Sequence, residues 1–420
     1  MRVAANPRAN TNVDTPAPVQ IPPAHTSALA PLREPLFRAL WIAAVISYTG
    51  SWMQNIATGW LMSTLTMSPI WVSLVQVALS VPVFLMALPA GALADSFDRR
   101  KFLLITQTSM VAAAGVLGVL EITGTVTPEL LLVFTFLLGV GAVMNEPAWQ
   151  SLMPDLVPAP KLAAAVALNS AGFNIARAVG PALGGLVIAT AGSGVAFVLN
   201  AVSFLGVILF LYRWKPAMRE LPPPGSLGSA INGGVRYVRQ DHRIRAVLVR
   251  TLAFTLGVSA FWALLPLIAS AHGAEGYGIM LACFGVGALL GAAVLPQMRR
   301  SFSLDAIIAL GNVIFALAII GLPRAPGLIG PSACAAAAGL AYMANLATFN
   351  FVAQYSAPAW VRARVMSLYI LALQGGLALG ALMWGMLASR IGIPYTLTIA
   401  AALLCCGLLL TPGFRLKDVA

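Results

Sequence analysis

The sequence predicts an all-α integral membrane protein: twelve transmembrane helices in two six-helix bundles, with both termini in the cytoplasm. Three observations carry this expectation. Hydrophobic residues fill 59% of the 420 positions and charged residues only 9%, whereas a soluble domain is nearer half apolar and about a quarter charged. So few charges do not cover a hydrated surface, and lipid is the solvent that suits such a chain. The apolar residues gather in runs of spanning length, and special residues recur at one fixed offset. The 28 prolines and 38 glycines are no objection, because transmembrane helices tolerate both.

Residues 1–32 are rich in Pro, Ala, Thr and Asn without apolar periodicity. They read as a disordered cytoplasmic tail, and they lack the apolar core of a secretory signal. A span needs about 20 mostly apolar residues. Such runs lie near 37–64, 70–94, 101–122, 129–153, 161–190 and 193–213, then near 245–271, 276–297, 303–322, 327–355, 362–389 and 393–412. Residues 33–213 are therefore the expected N-terminal bundle and 245–413 the C-terminal one. The connector, 214–244, holds Leu-Pro-Pro-Pro-Gly at 221–225 and then an amphipathic stretch, 227–240, suited to the inner leaflet. Residues 414–420 form a short cytoplasmic tail.

Orientation follows from Lys and Arg, which mark cytoplasmic loops. With the N-terminus inside, Arg99, Arg100, Lys101, Lys161, Arg299, Arg300, Arg362, Arg364, Arg415 and Lys417 all fall inside. The connector adds a further basic cluster, and only Arg324 and Arg390 fall outside. The net charge of +12 is thus mostly topology. A nucleic-acid surface would need a basic face on a soluble domain, and no segment is long enough to supply one.

An offset of 200 residues aligns the two halves. Gly91 falls on Gly291, Arg99 on Arg299, Gly139 on Gly339 and Asn145 on Asn345. Further on, Gly180 meets Gly380, Gly185 meets Gly385 and Gly192 meets Gly392. Two parallel six-helix repeats are the simplest account.

This organisation resembles the major facilitator superfamily, and GALADSFDRRK at 91–101 is similar to that superfamily's signature loop between helices 2 and 3. The resemblance implies a cytoplasmic latch built from Gly91, Asp95, Arg99 and Arg100. Gly91 would allow a neighbouring helix to approach closely, and Asp95 would face a helix N-terminus or an arginine. A plain positive-inside loop accounts for the arginines but not for Gly91 and Asp95. Ser96 and Asp98 depart from the usual pattern, and the second copy at 291–300 lacks the Asp.

GFNIARAVGPALGG at 172–185 resembles the helix-5 motif of proton-coupled exporters, through Gly172, Gly180, Pro181, Gly184 and Gly185. The glycines clear a face for tight packing, and Pro181 frees a carbonyl and permits a bend. A helix of this kind is expected at the interface between the halves, as a seal; ordinary Gly-rich packing is the alternative. Together with GSWMQNIATGWLMSTLTMSP at 50–69, the run resembles a bacterial exporter branch that includes siderophore exporters and drug-efflux proteins.

Polar residues inside spans are the candidates for substrate or proton coupling. Arg177 lies about 22 Å into its span at ~1.5 Å per residue. A charge at such depth costs at least about 2.5–3.5 kcal/mol, so it is expected to face a wet cavity, a partner, or backbone carbonyls at the Pro181 bend. Ser170, Asn174, Arg177 and Gly184 share one helical face. Glu146 is the one acid placed well inside a span, and burial raises a carboxyl's pKa into a useful range for carrying protons. Gln54, Asn55, Asn345 and Gln374 are further candidates, each with interhelical hydrogen bonding as the alternative.

Four cysteines, all in spans, imply no disulfide framework. Three scattered histidines form no metal cluster, no phosphate loop appears, and no nucleophile–base arrangement suggests an enzyme. The expected function is a secondary active exporter in the bacterial inner membrane, with no cofactor. Its expected partners are a small siderophore-like or drug-like molecule, protons as coupling ion, membrane lipid and an operon-linked biosynthetic system. An importer of the same fold and a non-transporting sensor or scaffold stay open.

Overall fold

The computed structural model describes residues 27–96, 98–214, 241–358, 361–410 and 413–416. The described residues form α-helices and short 3-10 turns, without a strand among them. The helices are α1 (Pro35–Leu65), α2 (Pro69–Ser96), α3 (Arg99–Ile122), α4 (Pro128–Leu156), α5 (Leu162–Ala191) and α6 (Ser193–Arg213). There follow α7 (His242–Ala269), α8 (Gly273–Ser301), α9 (Leu304–Gly321), α10 (Ile329–Ser356), α11 (Arg362–Ile391) and α12 (Ile393–Cys406). The expected tail before residue 27 and most of the connector, including 227–240, lie outside the described residues.

Local chemistry starts the helices where the sequence places them. Pro35, Pro69 and Pro128 open α1, α2 and α4, where a missing N–H costs nothing. Asp98, Thr127, Asp241 and Ser303 cap α3, α4, α7 and α9 with side-chain oxygens. Asp98 accepts from the Lys101 N–H at 2.8 Å, which gives that departure from the superfamily pattern a structural role. The last helix ends earlier than its apolar run suggests. After Cys406 the chain passes into a 3-10 turn, Gly407–Leu410, because Gly407 and Pro412 both weaken continuation.

Among the described residues nine stretches are long and apolar enough to cross a membrane, and one of them, His242–Ser301, contains both α7 and α8. Helix α1 is not among the nine, since Tyr48, Thr49, Ser51, Gln54, Asn55 and Thr58 dilute its hydropathy. Large apolar side chains such as Ile105, Val119, Leu205 and Leu317 are well exposed. In water such a surface would be a liability; against acyl chains it is the expected exterior.

The internal repeat has a three-dimensional meaning. Helix contacts fall mostly within α1–α6 and within α7–α12, and the main crossings between the sets are α2 with α11 and α5 with α8. A shift of six helices exchanges these two crossings. Gly192 and Gly392 both adopt left-handed φ, 86° and 84°, at the junctions α5–α6 and α11–α12, a conformation that a Cβ makes costly. Gln107 on α3 donates to Asn145 on α4 at 3.1 Å, and Asn345 on α10 donates to Asn312 on α9 at 2.9 Å. Each half thus carries an amide pair between its third and fourth helices.

Ion pairs gather at the basic end of the bundle. Lys161 Nζ meets Glu34 Oε1 at 2.6 Å. The nearly buried Arg250 on α7 pairs with Asp305 in the first turn of α9, and Asp305 also accepts from the Leu416 N–H at 3.4 Å. This carboxylate ties two helices to the C-terminal segment.

Candidate functional site

A cavity of about 470 Å³ lies between the two halves, within the range of about 300–1,000 Å³ of small-molecule sites. Asn55 of α1, Gln76 of α2, and Arg177 and Pro181 of α5 line one side. Trp262 of α7, Tyr277 and Phe284 of α8, Tyr342 of α10 and Gln374 of α11 line the other. The lining is apolar and aromatic, with three amides and one charge.

Glycines close the end of the cavity away from the basic loops. A Cβ on Gly185 would lie 2.7 Å from the Gly278 Cα, so α5 and α8 touch through bare backbone. A Cβ on Gly385 of α11 would collide with the Ser73 side chain of α2. The other helix-5 glycines do something different. A Cβ on Gly172 would meet Val45 at 2.7 Å, one on Gly180 would meet Trp52 Cβ at 2.6 Å, and one on Gly184 would meet Met53 Cα at 3.1 Å. With the fully buried Ala176 they put a small residue at every fourth position against α1. The helix-5 motif therefore makes two kinds of contact. Gly185 and the Pro181 carbonyl meet Gly278 of the other half, whereas Gly172, Gly180 and Gly184 pack α5 inside its own half. Gly380 repeats the pattern, since a Cβ there would lie 2.7 Å from the Leu256 carbonyl of α7.

Arg177 sits near the middle of α5, one turn before Pro181. Its Nη2 lies 3.9 Å from the Met343 Sδ, a weak acceptor. Among the described residues no carboxylate pairs with it, and none lines the cavity. The cavity is the space this charge faces.

A second cavity, about 570 Å³, opens toward the basic end. Tyr48, Glu146, Gln150, Asn169, Ser170 and Asn174 line it, and Phe173 borders both cavities. Glu146 Oε1 accepts from Gln150 Nε2 at 2.8 Å. The Phe173 ring stands edge-on to Tyr48 at 5.4 Å and to Trp52 at 6.3 Å. Glu146 and Arg177 thus belong to different compartments.

The expected site residues divide accordingly. Asn55, Arg177 and Gln374 line the central cavity, and Glu146 and Asn174 line the second. Gln54 instead turns into the bundle and accepts a hydrogen bond from Asn200 of α6. Asn345 is fully buried in its bond to Asn312. Gly91 and Asp95 fall in the last turns of α2, and their side chains lie outside the described residues. Arg99 opens α3. Arg100 donates from Nε to the Leu211 carbonyl at 2.6 Å and from Nη2 to the Tyr212 carbonyl at 2.7 Å, capping the end of α6 in its own half. Sequence reasoning missed Gln76 and the aromatic lining. Gln76 was findable as a polar residue in an apolar run, whereas the rings carry no signal that separates cavity from core.

Comparison with known proteins agrees with this architecture. A family model described as a transmembrane secretion effector matches residues 26–420. The staphyloferrin A transporter of Staphylococcus aureus is 23% identical over 85% of this chain and 90% of its own. The multidrug efflux pump Tap of Mycolicibacterium fortuitum is 27% identical over 92% of this chain and 98% of its own. Among solved structures, a bacterial homolog of the human lysosomal transporter Spinster, inward-facing and unoccupied, superimposes with a TM-score of 0.72 at 16% identity. That match covers 91% of this chain and 98% of the other. The POT family transporter PepTSo gives 0.73 at 14%, over 92% and 99%. The chain is a multi-pass membrane protein rather than an enzyme, and it belongs to the transmembrane secretion effector family of major facilitator transporters.

Proposed function

We propose that this protein is a secondary active exporter of a small anionic or neutral, oxygen-rich molecule across the inner membrane, driven by proton antiport. The observation that supports it most is the central cavity, lined from both halves and holding, among the described residues, one guanidinium and no carboxylate to pair with it. On this reading twelve helices span the membrane, both termini are cytoplasmic, and bundles 33–213 and 245–413 rock about the cavity with 214–244 as their tether. The glycine contacts of α5 with α8 and of α2 with α11 form the periplasmic gate, and Gly91, Asp95, Arg99 and Arg100 act at the cytoplasmic one. Glu146, in the compartment nearer the cytoplasm, is the proton carrier. The relatives include a siderophore transporter and a multidrug pump, which supports export and leaves cargo charge to the cavity.

The test is transport by everted membrane vesicles carrying the full chain. Energisation should drive accumulation of an anionic probe, and collapse of the proton gradient should release it. Accumulation in right-side-out vesicles instead would identify an importer.

A further inference from the structure

Three rings form one wall of the central cavity. Trp262 meets Phe284 with ring centroids 4.9 Å apart and planes at 70°, and meets Tyr342 at 6.1 Å and 70°. Phe284 and Tyr342 are 5.6 Å apart at 53°. All three line the cavity. Behind them Phe261 stacks on Phe284 at 5.0 Å, and Phe254 lies 6.2 Å from Tyr342; both are buried. The wall is thus held in place from behind, and rings set at steep angles offer a guest both faces and edges.

An aromatic wall suits two kinds of guest, a cation or another flat ring. The charge of the cavity decides between them. Among the described residues no carboxylate lines it, and Arg177 does, with a thioether as its hydrogen-bond partner. A cation would enter against a guanidinium. An anion would complete that guanidinium, in the two-pronged geometry that suits a carboxylate. Asn55, Gln76 and Gln374 remain to bond further oxygens.

From this we infer that the central cavity selects planar aromatic acids, with the ring against Trp262, Phe284 and Tyr342 and the acid group on Arg177. The inference rests on the export reading, which makes this cavity the cargo site, and narrows it to one chemical class. A charged aliphatic oxyacid would use Arg177 and leave the wall bare.

The test is equilibrium binding to the purified full chain in lipid nanodiscs. Four probes separate the features: 2-naphthoate, its saturated analogue decahydro-2-naphthoate, the neutral 2-naphthamide, and ethidium. Naphthoate should bind at least about tenfold tighter than each of the other three. Trp262→Leu should bring naphthoate to the level of its saturated analogue, and Arg177→Gln should bring it to the level of naphthamide. The comparison of ligands on the native protein does not depend on any variant folding. Equal affinity for naphthoate and decahydronaphthoate would overturn the inference, as would tighter ethidium or no binding by any probe. Binding needs no gradient. Proteoliposomes that fail to move naphthoate, from protein that binds it selectively, would count against export and leave the selectivity standing.

Discussion

Gly185 of α5 and Gly278 of α8 meet backbone to backbone, so that a Cβ on the second would lie 2.6 Å from the Cα of the first. Any side chain here drives the two halves apart at the end away from the basic loops. Gly185→Leu should therefore expose the cavity from that end and lower transport at least about tenfold, with normal yield of folded protein. Overpacking by a few methylenes costs about 1–3 kcal/mol, and a contact that opens in each cycle of the proposed mechanism is one the fold survives losing. Labelling of a cysteine placed at Tyr277, from the periplasmic side, is the measurement; no gain in labelling would remove the gate assignment.

Gly184→Leu should behave differently. Its side chain would run into the Met53 backbone of α1 within one half. The same overpacking of about 1–3 kcal/mol then falls on folding, and the yield and melting temperature in detergent should drop. A well-folded Gly184→Leu protein with lost transport would mean that this glycine too belongs to the moving interface.

Arg177 sets cargo charge in the proposed mechanism. Arg177→Lys keeps the charge and loses the planar fork, so export should weaken partially; Arg177→Ala should weaken it more. Cells expressing the native protein should gain little resistance to ethidium-like cations. Strong ethidium efflux that persists in Arg177→Ala would reduce Arg177 to a helix pin.

The pair Arg250–Asp305 joins α7, α9 and the C-terminal segment. Removing one partner of a buried pair costs about 3–5 kcal/mol, and removing both is often nearly neutral. Asp305 is partly exposed, with 22% of its side chain accessible, so Asp305→Asn should fall at or below the low end. The double variant Arg250→Met/Asp305→Leu should melt closer to the native protein than Arg250→Met alone. Additive losses in the melting temperatures would contradict this.

Asp95→Asn tests the latch. It removes one charge at the end of α2 and should slow transport while leaving folded yield unchanged. Native transport rates from a well-expressed Asp95→Asn protein would remove the role.

Much of the fold was legible, because apolar runs count spans and the offset of 200 pairs the halves. Asn145 and Asn345 illustrate how far that reaches: their equivalence was readable, yet their amide partners, Gln107 and Asn312, stand at unequal offsets and needed coordinates. Gln54 and Asn55 mark the limit of the polar-residue rule. They are neighbours, about 100° apart on the helix, so one turns to Asn200 and the other to the cavity. Periodicity in α1 did not separate them, since lipid, core and cavity all accept this helix's mixed faces. The rings of the cavity wall were hidden for a related reason. A Trp or Phe in a membrane helix satisfies lipid, core and ligand equally well, whereas Arg177 satisfies only water or a partner.

Among the described residues, the Phe173 ring lines both cavities. Exposed side chains change rotamer in picoseconds to nanoseconds, while helix bundles move in microseconds to milliseconds. Were that ring to turn aside and join the cavity at the basic end to the central one, a guest would exchange between them before the backbone responds. Capture and escape run on the faster clock. In the proposed mechanism, residence time then depends on whether the helices close while the guest is on the central-cavity side of that ring.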